Sequence, residues 1–280
     1  MVFKSSLVAL CMSVAAMTMV SAEENSTKTR DSGLRGLGVG VIASTQPYSI
    51  IDDDYLVNAI PSLSYDKGRV WIQGKQLGVI LTDPEGEGPW EVSALLDYRF
   101  QGFDGDDVDP DAGFREFEDR NGTLEAGTVI TYAMGDARLL GQFRHDVLDE
   151  HGGFDLSLQA EYNWQPFKYT FVRPYIGIKF QSEDLADYYF GVREEEQPEI
   201  ACIALAGVIC PEPEAELVGE TVNPYVGVFV RQALSKHLVL GGFVTHDFFA
   251  DEIKESSIID EEGQTTIGIT LSKPFLGKGR

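Results

Sequence analysis

Three groupings in the 280-residue sequence carry residue types that could do chemistry. Asp107, Asp109, Asp111 and Glu118 stand at the first, third, fifth and twelfth positions of a calcium-loop spacing, where carboxylate oxygens would surround a hard cation. The sixth position is Ala112 instead of the glycine that the sharp turn needs, and no helical pattern flanks the loop, so the residues favour a solvated acidic loop over a calcium site. His145-Asp146 and His246-Asp247 are the His/Asp neighbours. Neither pair can readily act as base and orienter, because adjacent residues on a strand face opposite sides. Cys202 and Cys210 enclose an apolar run between Glu/Pro-rich flanks, and two nearby cysteines in an oxidising compartment are candidates for a local disulfide. An apolar tip of this kind is expected to pack into a mouth, since left exposed it would promote aggregation. The expectation is a protein that is no enzyme and needs no cofactor.

The elements that must position these groups are strands. From Phe154 to Trp164 every even position is apolar or aromatic and every odd one is polar or charged, a period of two that a helix does not produce. Eleven residues exceed the usual globular strand and match the roughly 9–11 tilted residues that cross a bilayer. The run before it alternates in the same way, with Leu139, Gly141, Phe143 and Val147 opposed to Arg138, Gln142, Arg144 and Asp146. Trp90, Val92, Ala94, Leu96, Tyr98 and Phe100 form another apolar face with aromatics at both ends, where the two membrane interfaces favour them. Further strands are expected at 54–65, 69–81, 122–132, 169–181, 221–231, 237–249 and 264–275, with a first one through Leu37 to Ala43 and a short one at Tyr188-Tyr189-Phe190-Gly191-Val192. The fold class is therefore all-β, an antiparallel transmembrane β-barrel of about twelve strands. Gly36-Leu37-Gly38-Val39-Gly40 is no dinucleotide motif, because no helix follows it. A soluble sandwich or lipocalin-like barrel also alternates, but strand length, aromatics at strand ends and charges along the presumed lumen all disfavour it.

Those lumen charges are Asp97, Arg99, Glu125, Arg138, Arg144, Asp155, Glu161, Arg173 and Lys179, a mixture of signs expected to pair across the barrel and narrow any pore. Lipid of the bacterial outer membrane covers the other face. Residues 1–22 read as a secretory signal: Lys4, an apolar stretch from Leu7 to Val20, and small residues before Glu23. Residues 23–32 are a polar leader, 33–275 the barrel, and 276–280 a short extension. The net charge is −23, one unit more negative once Lys4 leaves with the signal, and such a field repels nucleic acid. Its carboxylates gather in the connections.

With the N-terminus in the periplasm, odd-numbered connections face outside. Counting 69–81 as one strand puts the acidic stretch Phe103 to Asn121 on the periplasmic side, an unusual place for a long loop. Asp104, Asp106, Asp107, Asp109, Asp111, Phe114, Glu116 and Glu118 are accordingly its candidate partner-binding residues.

The closing run Thr265 to Phe275 resembles the terminal strand read by outer-membrane assembly machinery, departing from it at Lys273 and in the tail beyond Phe275. Together with Gly36-Leu37-Gly38-Val39-Gly40, Pro61-Ser62-Leu63-Ser64-Tyr65, Thr123-Leu124-Glu125-Ala126-Gly127 and Tyr188-Tyr189-Phe190-Gly191-Val192, it makes the chain similar to the MipA/OmpV family over about 34–275. That resemblance implies a non-catalytic outer-membrane scaffold linking a periplasmic lytic transglycosylase to a peptidoglycan synthase. A porin-like channel for small solutes is the alternative.

Overall fold

In a computed structural model of the chain, the described residues are 36–51, 55–67, 69–73, 75–82, 88–112, 114, 117–197 and 214–274. The expectations for residues 1–32 and 276–280, and for Cys202 and Cys210, lie outside them. Strands β1 (Gly36–Thr45), β2 (Tyr55–Lys67), β3 (Val70–Gln73), β4 (Gln76–Ile80), β5 (Trp90–Arg99), β6 (Thr123–Met134) and β7 (Ala137–Asp146) pair in sequence. Next come β8 (Phe154–Tyr162), β9 (Trp164–Phe167), β10 (Thr170–Gln181), β11 (Thr221–Ser235), β12 (Leu238–Phe248) and β13 (Gly263–Pro274). β8 and β9 both pair with β10 and are one wall strand interrupted at Asn163. β10 pairs with β11, and β13 returns to β1 with Gly40 opposite Thr270, so the antiparallel ring closes.

The wall thus has the expected twelve strands, although two expectations about them fail in opposite directions. Residues 69–81 are a hairpin rather than one strand. The face pattern resets at the reversal: Trp71 is opposite Gly78 in the register and Gln73 opposite Gln76, so one face takes odd positions on β3 and even positions on β4. That reset is why the alternation through this stretch is ambiguous. Conversely, the short strand expected at 188–192 is the end of helix α1 (Glu183–Phe190). Leu185, Ala186, Tyr189 and Phe190 recur at helical spacing and are its buried face, while Glu183 and Asp184 meet the positive end of the helix.

Alternation decides which face meets lipid. Val39 is 71% exposed, Leu158 54% and Ile176 62%, whereas their neighbours in the opposite phase point into the barrel. An apolar outer band with Trp90, Tyr132, Tyr162 and Trp164 toward one rim is what a bilayer requires of a barrel wall. Leu158→Arg, at mid-wall, is expected to destabilise the protein in vesicles by about 2–4 kcal/mol, against at most about 1 kcal/mol in the rim. Urea unfolding in lipid of matched thickness checks this.

Inside, rings lie over glycines of the neighbouring strand. Tyr175 covers Gly227 and Tyr225 covers Gly177, a reciprocal pair across β10 and β11, so a Cβ at either glycine would strike the ring. The packing stiffens this wall through cross-strand contact.

The extra hairpin also changes the two ends. The connections 68–69, 81–89, 135–136, 168–169 and 236–237 fall at one end, together with the start of β1 and the end of β13; 46–54, 74–75, 100–122, 147–153, 182–220 and 249–262 fall at the other. Short turns face the periplasm in such barrels and long loops face outside. The stretch Phe103 to Asn121 therefore belongs to the outer end and not to the periplasmic side, because the reversal between β3 and β4 adds a crossing before it.

Candidate functional site

Two tiers of side chains lie at the outer end of the barrel. The upper tier is an apolar core made by the loops: Tyr48 and Ile50 from the first connection, Phe117 from the one after β5, Leu185, Tyr189 and Phe190 from α1, and Ile253 and Ile258 around the short helix α2 (Asp251–Lys254). Isolated bridges tie these connections together, Tyr48 to Ile259 and Ile51 to Val108. Burial pushes the phenols of Tyr48, Tyr188 and Tyr189 above their ordinary range, so this tier holds them as neutral hydroxyls. The Tyr189 hydroxyl donates to the Asn121 carbonyl at 3.0 Å.

One ion pair sits inside this apolar tier. Arg120 Nη2 is 2.7 Å from Glu196 Oε2, and both side chains are fully buried. The backbone amides of Arg193 and Glu118 also donate to the Glu196 carboxylate, at 2.9 and 3.2 Å. Rings of Phe103, Phe117 and Tyr188 stand about the Arg120 guanidinium at 5.8, 5.9 and 5.8 Å. Nearer the surface Arg193 pairs with Glu118.

The lower tier is the charged layer that strand parity places in the lumen. Arg99 Nη2 lies 2.7 Å from Glu125 and 2.5 Å from Asp155. Arg144 lies 2.7 Å from Asp97, 2.6 Å from Asp155 and 3.6 Å from Glu125, and Lys75 adds a contact of 3.3 Å to Asp97. Three cations thus meet three carboxylates drawn from β5, β6, β7, β8 and the turn before β4. Asp97, Glu125 and Asp155 are 0% exposed, so these carboxylates are out of reach of solvent. Paired and hydrogen-bonded charges of this kind are what a buried ionic layer requires. Toward the periplasm, Arg138 and Arg173 converge on Glu161 and Arg173 also donates to Asn163 at 3.0 Å; near the outer ends of β10 and β12, Lys179 pairs with Asp247 at 2.7 Å.

His151 joins the tiers. Its imidazole packs between Tyr188 and Tyr189, Nδ1 accepts from the Gly153 amide at 2.9 Å, and Nε2 stands 3.6 Å from Glu125.

The other sequence candidates fall as follows. Asp146 is occupied by Thr123 and by the amides of Leu148, His151 and Gly152, while His145 faces outward and contacts the Gly153 carbonyl; Asp247 is held by Lys179 and His246 by Thr265. The His/Asp neighbours therefore form no dyads. Asp107 closes a short 3-10 turn, Asp109 follows it, and Glu118 is engaged by Arg193. Among the described residues no group of three or more His, Cys, Asp or Glu side chains gathers as a metal site, and the side chain of Asp111 lies outside them. Asp104 accepts from the Asp106 amide at 3.0 Å, Phe114 packs on Phe117 at 5.4 Å, and Glu116 is outside the described residues. Sequence reading did not single out Lys75, Arg120, His151 or Glu196, since nothing local marks residues whose partners are tens of positions away.

A profile of the family MltA-interacting protein MipA matches residues 37–275. Putative outer membrane protein YiaT of Escherichia coli K12 is 24% identical over 239 residues, covering 85% of this chain and 90% of its own. Outer membrane protein OmpV of Vibrio cholerae is 28% identical over 195 residues, covering 64% and 71%. MltA-interacting protein of Escherichia coli K12 is 24% identical over 237 residues, covering 84% and 88%. Among solved structures, that of the NanC porin aligns over 85% of this chain and 100% of its own, at 6% identity and a TM-score of 0.44. With twelve wall strands, an apolar outer band and a family match spanning the whole wall, this chain belongs to the MltA-interacting protein MipA family of outer-membrane proteins.

Proposed function

We propose that this protein is a closed, non-catalytic barrel serving as a scaffold for envelope proteins, with a lytic transglycosylase and a peptidoglycan synthase as its periplasmic partners. The observation that carries the reading is the ionic layer, three cations on three carboxylates that are wholly buried, beneath an apolar cap. A relative bearing the name MltA-interacting protein supports the choice of partner. A periplasmic partner meets the short-turn end, where Lys168, Lys236 and His237 stand. The acidic residues 104–118 belong in this reading to closure of the outer mouth.

A porin-like channel is the second reading, favoured by one feature. The inward face of β13 and β1 carries Thr266, Thr270, Ser272, Ser44 and Gly40, and its hydroxyl side chains are only half-buried, in contrast to the ionic layer opposite. Single-channel recording of the refolded mature protein, with and without residues 193–220, decides between them. The scaffold reading expects no stable conductance steps in either form, and binding of purified lytic transglycosylase that Lys168→Glu with Lys236→Glu weakens while deletion of 104–118 does not. Discrete steps from the intact protein would favour the channel.

A further inference from the structure

We infer that the described part of the loop after β5 (residues 103–112 and 117–120) and α1 with its extension to Gln197 form a lid over the outer mouth, and that the Arg120–Glu196 pair is its latch. This rests on the closed-barrel reading and adds how closure is held. Of the two ion pairs that join the halves of the lid, Arg193–Glu118 lies toward solvent and Arg120–Glu196 is fully buried among the apolar side chains of the tier. A buried ion pair is a poor way to gain stability, since an apolar pair of similar volume does as well or better. What it adds is conditionality. While both charges are present the halves close on each other, and an unmatched charge in that core forces them apart.

The surrounding contacts fit a latch. Glu196 receives donors from both halves, the Arg120 guanidinium and Glu118 amide on one side and the Arg193 amide on the other. Arg120 Nη1 donates to the Glu118 carbonyl at 2.9 Å, which orients the guanidinium before α1 arrives. Gly102, at φ 138°, lies where the loop leaves β5 and Gly219, at φ 75°, where the chain enters β11. Both conformations are ones that side-chain-bearing residues rarely adopt, and both are suited to absorb a change of direction. The wall below does not share in the latch: its pairing and its ionic layer are complete without Arg120 or Glu196.

Amide hydrogen exchange on the refolded mature protein in micelles tests this. Glu196→Gln keeps the shape and the acceptor oxygen but leaves Arg120 unmatched. Exchange at Phe103, Arg120 and Asn121, whose amides bond across the lid or its base, is expected to quicken about a hundredfold, with β7 and β8 unchanged. Arg120→Gln combined with Glu196→Gln restores neutrality and is expected to return these amides to within about threefold of the parent. A folded Glu196→Gln protein as protected as the parent overturns the latch, and so does a double variant as open as the single one. Should Glu196→Gln fail to refold, the comparison moves to refolding yield: recovery in the double variant supports the latch and equal failure overturns it. Conductance of the unsubstituted protein addresses the closed-barrel reading separately.

Discussion

Replacing Arg144 by methionine is expected to destabilise the barrel by roughly 3–5 kcal/mol, the range for breaking a buried ion pair from one side. Arg144 touches Asp97 and Asp155 and stands close to Glu125, so its loss leaves three carboxylates to share Lys75 and Arg99. Each carboxylate is fully buried, so water cannot replace the lost donor without entering the layer. The methylene stem is matched by methionine, which isolates the charge from the packing. Adding Asp155→Asn removes one of the orphaned charges and should recover about half of the loss, a coupling that a double-mutant cycle in urea reads directly. A cost under about 1 kcal/mol for Arg144→Met would mean that the layer is hydrated and the lumen open at this level. The same result would undercut the closed-barrel reading.

This prediction rests on residues whose placement was legible in the sequence. Along β5, β7 and β8 a period of two separates Leu96 from Asp97, Phe143 from Arg144 and Leu156 from Asp155, and in each case the first faces outward and the second inward. Partners were less legible than faces. Arg99 reaches Asp155 from three strands away, a chord fixed by the curvature of the wall and not by spacing along the chain. The hairpin of β3 and β4 escaped because alternation resets at a reversal, and with it went the side on which residues 103–121 lie. Helix α1 escaped for a different reason. Tyr188, Tyr189 and Phe190 favour strands, and only Leu185 and Ala186, one turn earlier, reveal the helical period on which the buried face depends.

Tyr189→Ala is expected to cost about 3–5 kcal/mol, and the loss should be confined to the cap. Tyr189 is 0% exposed, packs edge-on against Tyr188 at 4.9 Å and against His151 at 5.7 Å, and caps the Asn121 carbonyl with its hydroxyl. Truncation opens a cavity at the meeting point of α1, the end of the loop after β5 and the turn carrying His151, where no neighbouring backbone can collapse without breaking its own pairing. Tyr189→Phe removes only the hydroxyl and should cost about 1 kcal/mol. The wall is closed by its own ladders, and among the described residues it makes no hydrogen bond to Tyr189, so thermolysin should cut the cap of Tyr189→Ala many-fold faster while the barrel keeps its heat-modifiable migration on a gel. If cap and wall instead melt together, the lumen layer draws its stability from the tier above it. His151, wedged between Tyr188, Tyr189 and Glu125, and Arg99, whose guanidinium stands 5.9 Å from the Tyr189 ring, would then be the residues through which that dependence runs.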